Sequence, residues 1–285
     1  MPVDSTMKIK AIAPYFGGKR NLAPWIVGMM GEHAAYWEPF CGSLAVLLAK
    51  PRCSMETAND LYGDIINLAR VVADPMRYRD LLRRLRRTLY HEDLYSEAAA
   101  ALAADCDGDA GVDRAYLFFV FSWMGRNGAI GAKNVGTTFS PRYTRNGGHA
   151  GTRWRSTVDS IPAWHARMRG VSFLHRDAME VLDRIEDEAR TVVYLDPPYL
   201  NRGKYKHHAI NHAALAAAAS RFKSAHVLIS YYDDPEIIDL YPGWSVASRE
   251  VSKATAHQGR RGENDSRETE IVLSNRQLDD MSLWI

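Results

Sequence analysis

The sequence of 285 residues lacks the features of several common protein classes. It has three cysteines, Cys41, Cys53 and Cys106, which follow no metal-ligand spacing, and an odd number argues against a disulfide framework. We therefore expect a reducing, cytoplasmic setting and no bound metal. No apolar run approaches the roughly 18 residues of a membrane span. The first residues also lack the apolar core of a signal peptide, so no membrane association is expected.

An excess of one charge is also missing, because 36 Lys and Arg residues are balanced by 34 Asp and Glu residues. The balance is not uniform along the chain. Residues 114–170 hold nine Lys or Arg residues, three tryptophans and one acid, Asp159. Within this interval, residues 125–156 are rich in Gly, Asn and Arg without clear periodicity, which predicts a long loop or twisted hairpin. Basic and aromatic side chains without acids suit a polyanionic partner.

Short strands alternate with helices in the first part of the chain. The hydrophobic pattern predicts strands at 34–40 and 55–60, each followed by a helix, at 44–50 and 64–74. Such alternation is typical of a doubly wound, Rossmann-like α/β sheet.

The character of the sequence changes at about residue 75, where helical patterns replace strands. Segments 94–105 and 112–124 are predicted helices, and strand patterns return after residue 170. We therefore predict one α/β domain, formed by 1–74 and 160–285, with a mostly helical, basic insertion at 75–159.

Turn residues at three strand ends suit one adenosine-like ligand. In "EPFCGSLAVLL", Gly42 lies in a turn that opens a helix, where bare backbone and free N–H groups let a ligand approach. Asp60, at the next strand end, can accept hydrogen bonds from ribose hydroxyls, and Asp177 can accept an exocyclic amine. Each also has a purely structural interpretation, as a tight turn or as a helix N-cap. The dinucleotide fingerprint GxGxxG is absent.

The segment "TVVYLDPPYL" ends a buried strand with a rigid polar motif. Asp196 offers a carboxylate, while Pro197 and Pro198 fix the backbone and leave carbonyl groups without competing N–H donors. Tyr199 adds a flat aromatic surface. A carboxylate, a carbonyl acceptor and a stacking ring together are suited to holding a planar base by its exocyclic amino group.

The order of these motifs resembles that of the DNA adenine methyltransferase family, in which the cofactor motifs precede the target-recognition insertion. The resemblance covers nearly the whole chain and involves seven blocks: "PYFGGKR", "EPFCGS", "NDLYGDIINL", "SWMGRNGAIG", "RDAMEVL", "DPPY" and "RETEIVLSN". It implies a Rossmann-like methyltransferase sheet, S-adenosylmethionine as cofactor and methyl transfer to the N6 amine of an adenine flipped out of double-stranded DNA. The implied transfer is direct and needs no metal.

The resemblance assigns roles to individual residues. Asp60 would hold the ribose of the cofactor and Asp177 its adenine amine, while Asp196 would serve both the cofactor site and the target base. The implied cofactor-binding residues are Tyr15, Phe16, Gly17, Gly18, Lys19, Glu38, Phe40, Gly42, Ser43, Asp60, Asp177, Ala178 and Asp196. The implied catalytic residues are Asp196, Pro197, Pro198 and Tyr199.

Two positions depart from the family pattern. The cofactor loop of the family usually reads Phe-x-Gly-x-Gly, but this chain has Leu44 at the second glycine position. We expect the Leu44 side chain either to crowd the methionine part of the cofactor or to reshape the turn. The ribose motif has Tyr62 where the family often has Asn.

The basic insertion supplies the predicted DNA contacts. Most of its cations are expected to bind phosphates, whereas Arg126 and Asn127 are candidates for reading base edges. The predicted DNA-binding residues are Arg126, Asn127, Lys133, Arg142, Arg145, Arg153 and Arg155. By contrast, the arginines of 77–87 are interpreted as a solvated helix face.

Three alternatives remain open from the sequence alone. The chain could methylate cytosine N4, methylate RNA, or be a degenerate methyltransferase-fold protein that only binds DNA. Asp196 at the first catalytic position favours adenine. A cognate restriction enzyme is a possible partner, and the oligomeric state is not determined by the sequence.

Overall fold

The computed structural model describes residues 9–15, 17–104, 111–125, 138–141, 149–199, 210–252 and 267–278. Within these ranges the chain forms one seven-stranded sheet. The strands are β1 Ala35–Glu38, β2 Met55–Asn59, β3 Ser172–Leu174, β4 Thr191–Leu195, β5 His226–Tyr232, β6 Ser245–Ser252 and β7 Arg267–Ser274. The central strand β4 is buried at every position, which explains its unbroken run of apolar residues.

The order of the strands is β3-β2-β1-β4-β5-β7-β6. Strands β3, β2, β1, β4 and β5 pair in parallel, whereas β7 is antiparallel to both β5 and β6. The strand order reverses between β1 and β4, and such switch points place a binding crevice at the carboxyl ends of the strands. The predicted doubly wound, Rossmann-like sheet is confirmed.

Eleven helices are present in the described part of the chain. Those that belong with the sheet are α1 Ala23–Gly28, α2 Ala45–Ala49, α3 Gly63–Ala73, α9 Ala178–Arg184, α10 His212–Ser220 and α11 Pro235–Ile238. Those between α3 and β3 are α4 Arg77–Arg87, α5 Glu92–Ala104, α6 Val112–Met124, α7 Ala150–Val158 and α8 Ile161–Met168. No helix in the described ranges has the length and apolar character needed to cross a membrane.

Helix α3 joins the sheet to the helices that follow it. It packs against β3 and also against α4, α6 and α8, and eight of its eleven residues are buried. A helix that is buried on nearly every side belongs to an interior, not to a surface. The Asn67 amide donates to the carbonyl of Gly111 at 3.0 Å, and Arg114 forms an ion pair with Asp64. The division into 1–74 with 160–285 and 75–159 stays a prediction.

The prediction of a long loop or twisted hairpin at residues 125–156 is wrong for its second half. Residues 150–158 form helix α7 instead of a loop, and its N-cap His149 accepts a hydrogen bond from the Gly151 N–H at 3.1 Å. Trp154 and Val158 are buried in the core, but Arg153 and Arg155, on either side of Trp154, hid this apolar stripe in the sequence. At the other end, an antiparallel bridge between Gly125 and Phe139 agrees with the hairpin interpretation.

Helix α4 has an apolar stripe on the side away from most of its arginines. Leu81, Leu82 and Leu85 are buried, while most of its arginines lie on the solvent side. Arg84 forms ion pairs with Asp80 and with Asp113 of α6. This arrangement agrees with a solvated, largely structural arginine face.

Candidate active site

A cavity of about 240 Å³ opens at the carboxyl ends of the parallel strands. It collects residues from the turn before α1 and from the ends of β1, β2, β3 and β4. The predicted cofactor residues that line it are Tyr15, Gly17, Gly18, Lys19, Glu38, Phe40, Gly42, Ser43, Asp60, Asp177, Ala178 and Asp196. Phe16 lies outside the described residues.

The turn after β1 forms a close-fitting part of this cavity. Gly42 has a φ of 43°, and a Cβ atom added to it would lie 3.4 Å from the Tyr15 ring. A Cβ on Gly18 would lie 3.0 Å from the carbonyl oxygen of Tyr15. The two glycines therefore let the first turn and the β1 turn approach each other, and they leave backbone exposed to a ligand.

Leu44 does not crowd the cavity, so that part of the expectation is wrong. Its φ of 60° is in the left-handed region, at the N-cap of α2. Its side chain is fully buried in the hydrophobic core and does not line the cavity. The left-handed backbone normally favours glycine, and a leucine there costs about 1 kcal/mol. Burial of the leucine side chain offsets that cost.

Asp60 ties the β1 turn to the entrance of α3. Its Oδ2 accepts the Gly42 N–H at 2.7 Å, and its Oδ1 accepts the Tyr62 N–H at 2.9 Å. Burial raises the pKa of Asp60, although these N–H donors lower it. Tyr62 is the N-cap residue of α3, so the simple N-cap interpretation of Asp60 is wrong. Each carboxylate oxygen has a second lone pair that can face the cavity.

Asp177 both caps a helix and lines the cavity. Its side chain accepts the Met179 N–H at 2.7 Å at the start of α9. The structural and the ligand-binding interpretations therefore coexist, because one oxygen suffices for the cap.

Asn59 is a site residue that the sequence analysis missed. Its buried amide donates to the carbonyl oxygens of Pro39 and Arg176, at 2.9 and 3.0 Å, and accepts the Arg176 N–H at 3.0 Å. These bonds connect the ends of β1, β2 and β3. Its position directly before Asp60, at the end of β2, was the signal that could have identified it.

Asp196 lies beside a lysine instead of standing alone. The Lys19 Nζ is 3.0 Å from Asp196 Oδ1 and 3.7 Å from Glu270 Oε1. It lies 4.6 Å from the centre of the Tyr199 ring and donates to the Gly17 carbonyl at 3.0 Å. Burial raises the pKa of Asp196, while the charge and hydrogen bond of Lys19 and a hydrogen bond from Tyr199 lower it.

The remaining residues of the DPPY motif divide between the cavity and the core. Pro198 lines the cavity, whereas Pro197 and Tyr199 are buried next to it. The Tyr199 ring packs edge-on against Tyr232, and its hydroxyl donates to Glu270 Oε2 at 2.9 Å. Glu270, on β7, was not among the predicted site residues.

The carboxyl group of Glu38 has a raised pKa of about 8. Burial is the main cause and the nearby charge of Asp196 adds to it, while the Tyr36 hydroxyl, which donates at 2.9 Å, opposes the shift. Behind it, the Lys50 Nζ lies 4.6 Å from the Tyr36 ring centre and 2.6 Å from Glu56. Glu56 also accepts two hydrogen bonds from Arg167, at 2.7 and 2.8 Å.

Of the predicted DNA-binding residues, the structure describes Arg153 and Arg155, both on α7. The Arg153 guanidinium lies 5.5 Å from the Trp123 ring centre, and Arg155 is exposed. Arg126, Asn127, Lys133, Arg142 and Arg145 lie outside the described residues. Among the residues that are described, no group of three or more His, Cys, Asp or Glu side chains could hold a metal ion.

Comparisons with known proteins give two kinds of result. No curated protein matches the sequence. Among solved structures, the chain resembles the crystal structure of SMU.472, a protein named as a methyltransferase and complexed with SAH, at 10% identity and a TM-score of 0.36. That match covers 95% of this chain and 54% of the other, so the chain spans about half of its length.

The family comparison gives a more specific description. The model of the D12 class N6 adenine-specific DNA methyltransferases matches residues 15–253. That interval runs from the first cofactor block to the end of β6, and it includes every described residue that lines the cavity. This description agrees with the family that the sequence motifs resemble. The chain belongs to the D12 class N6 adenine-specific DNA methyltransferase family.

Proposed function

We propose that this chain transfers the methyl group of S-adenosylmethionine to the N6 amine of an adenine that is flipped out of double-stranded DNA at a specific sequence. The observation that carries the proposal is the position of Asp196. It lines the same cavity as the cofactor motifs and lies at the end of β4, next to the point where the strand order reverses. A carboxylate there can meet a base that enters from outside the sheet.

The residues of the cavity fit S-adenosylmethionine, which supplies a methyl group on a positively charged sulfur. Asp60 and Asp177 offer acceptors for a ribose hydroxyl and an adenine amine, at the ends of two neighbouring strands. Glu38 offers a buried carboxyl to the cationic amino group. Gly18 and Gly42 line the cavity without side chains of their own and offer backbone contacts along the methionine part, and a Cβ at either position would press on Tyr15.

The target base is held by acceptors that do not need to form a covalent bond. Asp196 and the carbonyl of Pro197 accept the two hydrogens of the N6 amine, and this directs the nitrogen lone pair toward the methyl group. Alignment and preorganised acceptors then supply most of the rate, as expected for a direct transfer. Flipping is required because the amine is otherwise engaged in a base pair.

Double-stranded DNA is the proposed substrate because of the basic segment between α6 and α7. Arg153 and Arg155 lie in α7, and the other predicted cations precede them in the sequence. If these side chains bind phosphates, replacing Arg153 and Arg155 by Gln reduces the slope of DNA affinity against salt by up to about one for each lost contact. Replacing Arg77 and Arg79 of α4 is the matched control, since that face is interpreted as structural.

The deciding experiment labels the methyl group of the cofactor and offers double-stranded DNA or RNA of mixed sequence. The nucleic acid is digested to nucleosides, and the label is assigned to one base. Label in N6-methyladenine from DNA supports the proposal. Label in N4-methylcytosine, or in RNA alone, overturns the base or substrate assignment, and no label despite cofactor binding overturns the activity.

A cytoplasmic location and a cognate restriction enzyme belong to this proposal as well. The odd number of cysteines supports a reducing compartment. The interpretation as a degenerate DNA-binding protein depended mainly on Leu44, and it loses that support because Leu44 faces the core.

A further inference from the structure

Glu270 is a buried carboxylate at the edge of the proposed target site. It lies on β7, opposite Tyr232 of β5 and Arg249 of β6, and is 5% exposed. A carboxylate in such a position is unfavourable unless it is paired. Its partners are Lys19 and Tyr199, which also surround Asp196.

The two donors face two competing carboxylates. Lys19 Nζ is 3.0 Å from Asp196 and 3.7 Å from Glu270. The Tyr199 hydroxyl has one proton and donates it to Glu270 at 2.9 Å, although it is also close enough to Asp196 to affect the pKa of that carboxyl. Without Glu270, both donors would turn to Asp196 and occupy its lone pairs.

Lys19 also lies where a target base has to come. Its ammonium is over the Tyr199 ring at 4.6 Å from the ring centre, and it occupies one oxygen of Asp196. A base that donates its amine to Asp196 and contacts Tyr199 therefore requires Lys19 to shift. A buried ammonium moves at low energetic cost only if a second carboxylate is within reach. Glu270 is that second carboxylate.

We propose that Glu270 is a positioning residue for methyl transfer: it holds the Tyr199 hydroxyl and receives Lys19, so that Asp196 is free to accept the target amine. This role rests on the proposed adenine methylation. It differs from a structural role, because Glu270 acts by keeping two donors away from another carboxylate.

The test compares the wild-type enzyme with Glu270→Gln, which keeps the size of the side chain and removes its charge. Cofactor affinity is expected to stay within about twofold, because Glu270 does not line the cavity. The rate of methyl transfer in a single turnover is expected to fall by about 3- to 100-fold, the range found for coupled neighbours. Glu250→Gln, the same change at an exposed position on β6, is the control and should keep the wild-type rate.

Two further measurements separate positioning from a structural role. In Glu270→Gln the acid limb of the rate profile should move to lower pH, because a neighbouring negative charge is lost and both donors turn to Asp196. The charged and titratable groups around Asp196 are Lys19, Glu38, Tyr194, Tyr199, Tyr231 and Glu270. Adding Tyr199→Phe to Glu270→Gln should restore part of the lost rate, because one of the two competing donors is then gone.

The outcomes distinguish this proposal from the proposed function. A wild-type chain that leaves adenine unmethylated overturns both. If Glu270→Gln methylates adenine at the wild-type rate and with the wild-type pH profile, the role of Glu270 is overturned and the proposed function stands. The same holds if Glu270→Gln is slower, but its acid limb does not move and Tyr199→Phe restores none of the lost rate. If Glu270→Gln does not fold, Glu270→Asp takes its place, because it keeps the charge but shortens the side chain. Adding Tyr199→Phe must then restore part of the rate that Glu270→Asp loses.

Discussion

Two buried lysines lie in clusters of charged side chains with opposite charge balance. The Lys19 cluster contains Lys19 and the carboxylates of Asp196 and Glu270, whereas the Lys50 cluster contains Lys50, Arg167 and the single carboxylate of Glu56. Lys19, Glu270 and all three residues of the Lys50 cluster are buried, whereas Asp196 is partly exposed to the cavity. One has a carboxylate in excess, and the other has a cation in excess.

The pKa values of the carboxyl groups follow this difference. Burial raises the pKa of both Asp196 and Glu270, and Lys19 only partly opposes it. Burial acts in the same direction on Glu56, but the hydrogen bonds and charges of Arg167 and Lys50 outweigh it, so its pKa is lowered. A carboxylate with two fixed cations is saturated and structural. Two carboxylates that share one cation can exchange it when a ligand enters.

The largest effect is expected from Glu56→Gln, which leaves Lys50 and Arg167 buried without their shared anion. Breaking a buried pair in this way is expected to lower the free energy of unfolding by about 3–5 kcal/mol. Urea denaturation of wild type and variant measures it, and Glu32→Gln at an exposed position should stay within about 0.5 kcal/mol. If the free energy of unfolding fell by less than about 1 kcal/mol, Lys50 and Arg167 would not depend on the charge of Glu56.

Asp196→Ala tests the other cluster through function instead of stability. Removing a preorganised acceptor is expected to slow methyl transfer by about 10²–10³-fold. Cofactor binding, followed by calorimetry, is expected to change by no more than a few fold, since Asp196 mainly serves the target base. Near-normal turnover would mean that the target amine is held by other groups.

Glu38 in the cavity and Glu56 in the Lys50 cluster should change the stability of the folded state with pH in opposite directions. Between about 4.5 and about 8 the folded state keeps a proton on Glu38 that the unfolded chain releases, so Glu38 makes stability fall as pH rises, by about 1 kcal/mol per unit. Glu38→Gln should therefore flatten the decline.

The contribution of Glu56 has the opposite pH dependence. The pKa of Glu56 is lower in the folded state than in the unfolded chain. Glu56 therefore stabilises the folded state at pH values above the usual carboxyl pKa, and this stabilisation is lost as the pH falls through the folded-state pKa. Urea denaturation of wild type, Glu38→Gln and Glu56→Gln, from pH about 8 down to pH values below the usual carboxyl pKa of about 4, measures both trends. Equal pH dependence in the two variants would contradict the proposed contrast.

The smallest effect at the cavity is expected for Leu44→Gly. Because the leucine side chain faces the core, restoring the usual glycine should change cofactor affinity by no more than about twofold. Calorimetry below the unfolding temperature measures it. A clear gain in cofactor affinity would show that Leu44 reshapes the turn in a way that weakens binding, which was the second expectation from the sequence.

Local patterns in the sequence predicted much of the fold and most of the cavity. Helix α6 begins and ends at the predicted residues, because its apolar side chains recur at helical spacing. Gly42, Asp60, Asp177 and Asp196 could be found because each follows a strand, and the carboxyl ends of parallel strands meet at one edge.

The missed residues depend on contacts between distant parts of the chain. Glu270 lies in a strand that begins Arg-Glu-Thr-Glu, where a buried acid looks the same as a solvated one. Glu56 and Arg167 are 111 positions apart, so nothing local connects them. Helix α7 was missed because its arginines interrupt the apolar pattern, although Trp154 packs edge-on against Phe119 of α6.

The packing of α3 limits how the chain can be recombined with its relatives. Since α4 and α6 both pack against α3, removing residues 75–159 would expose part of the buried apolar surface of α3 to water. By contrast, the segment between Gly125 and His149 begins and ends next to helices whose buried residues belong to the core. If this segment reads the DNA sequence as proposed, we expect a new recognition sequence to be tolerated best as a short replacement between α6 and α7, whereas exchange of residues 75–159 would disturb the packing around α3.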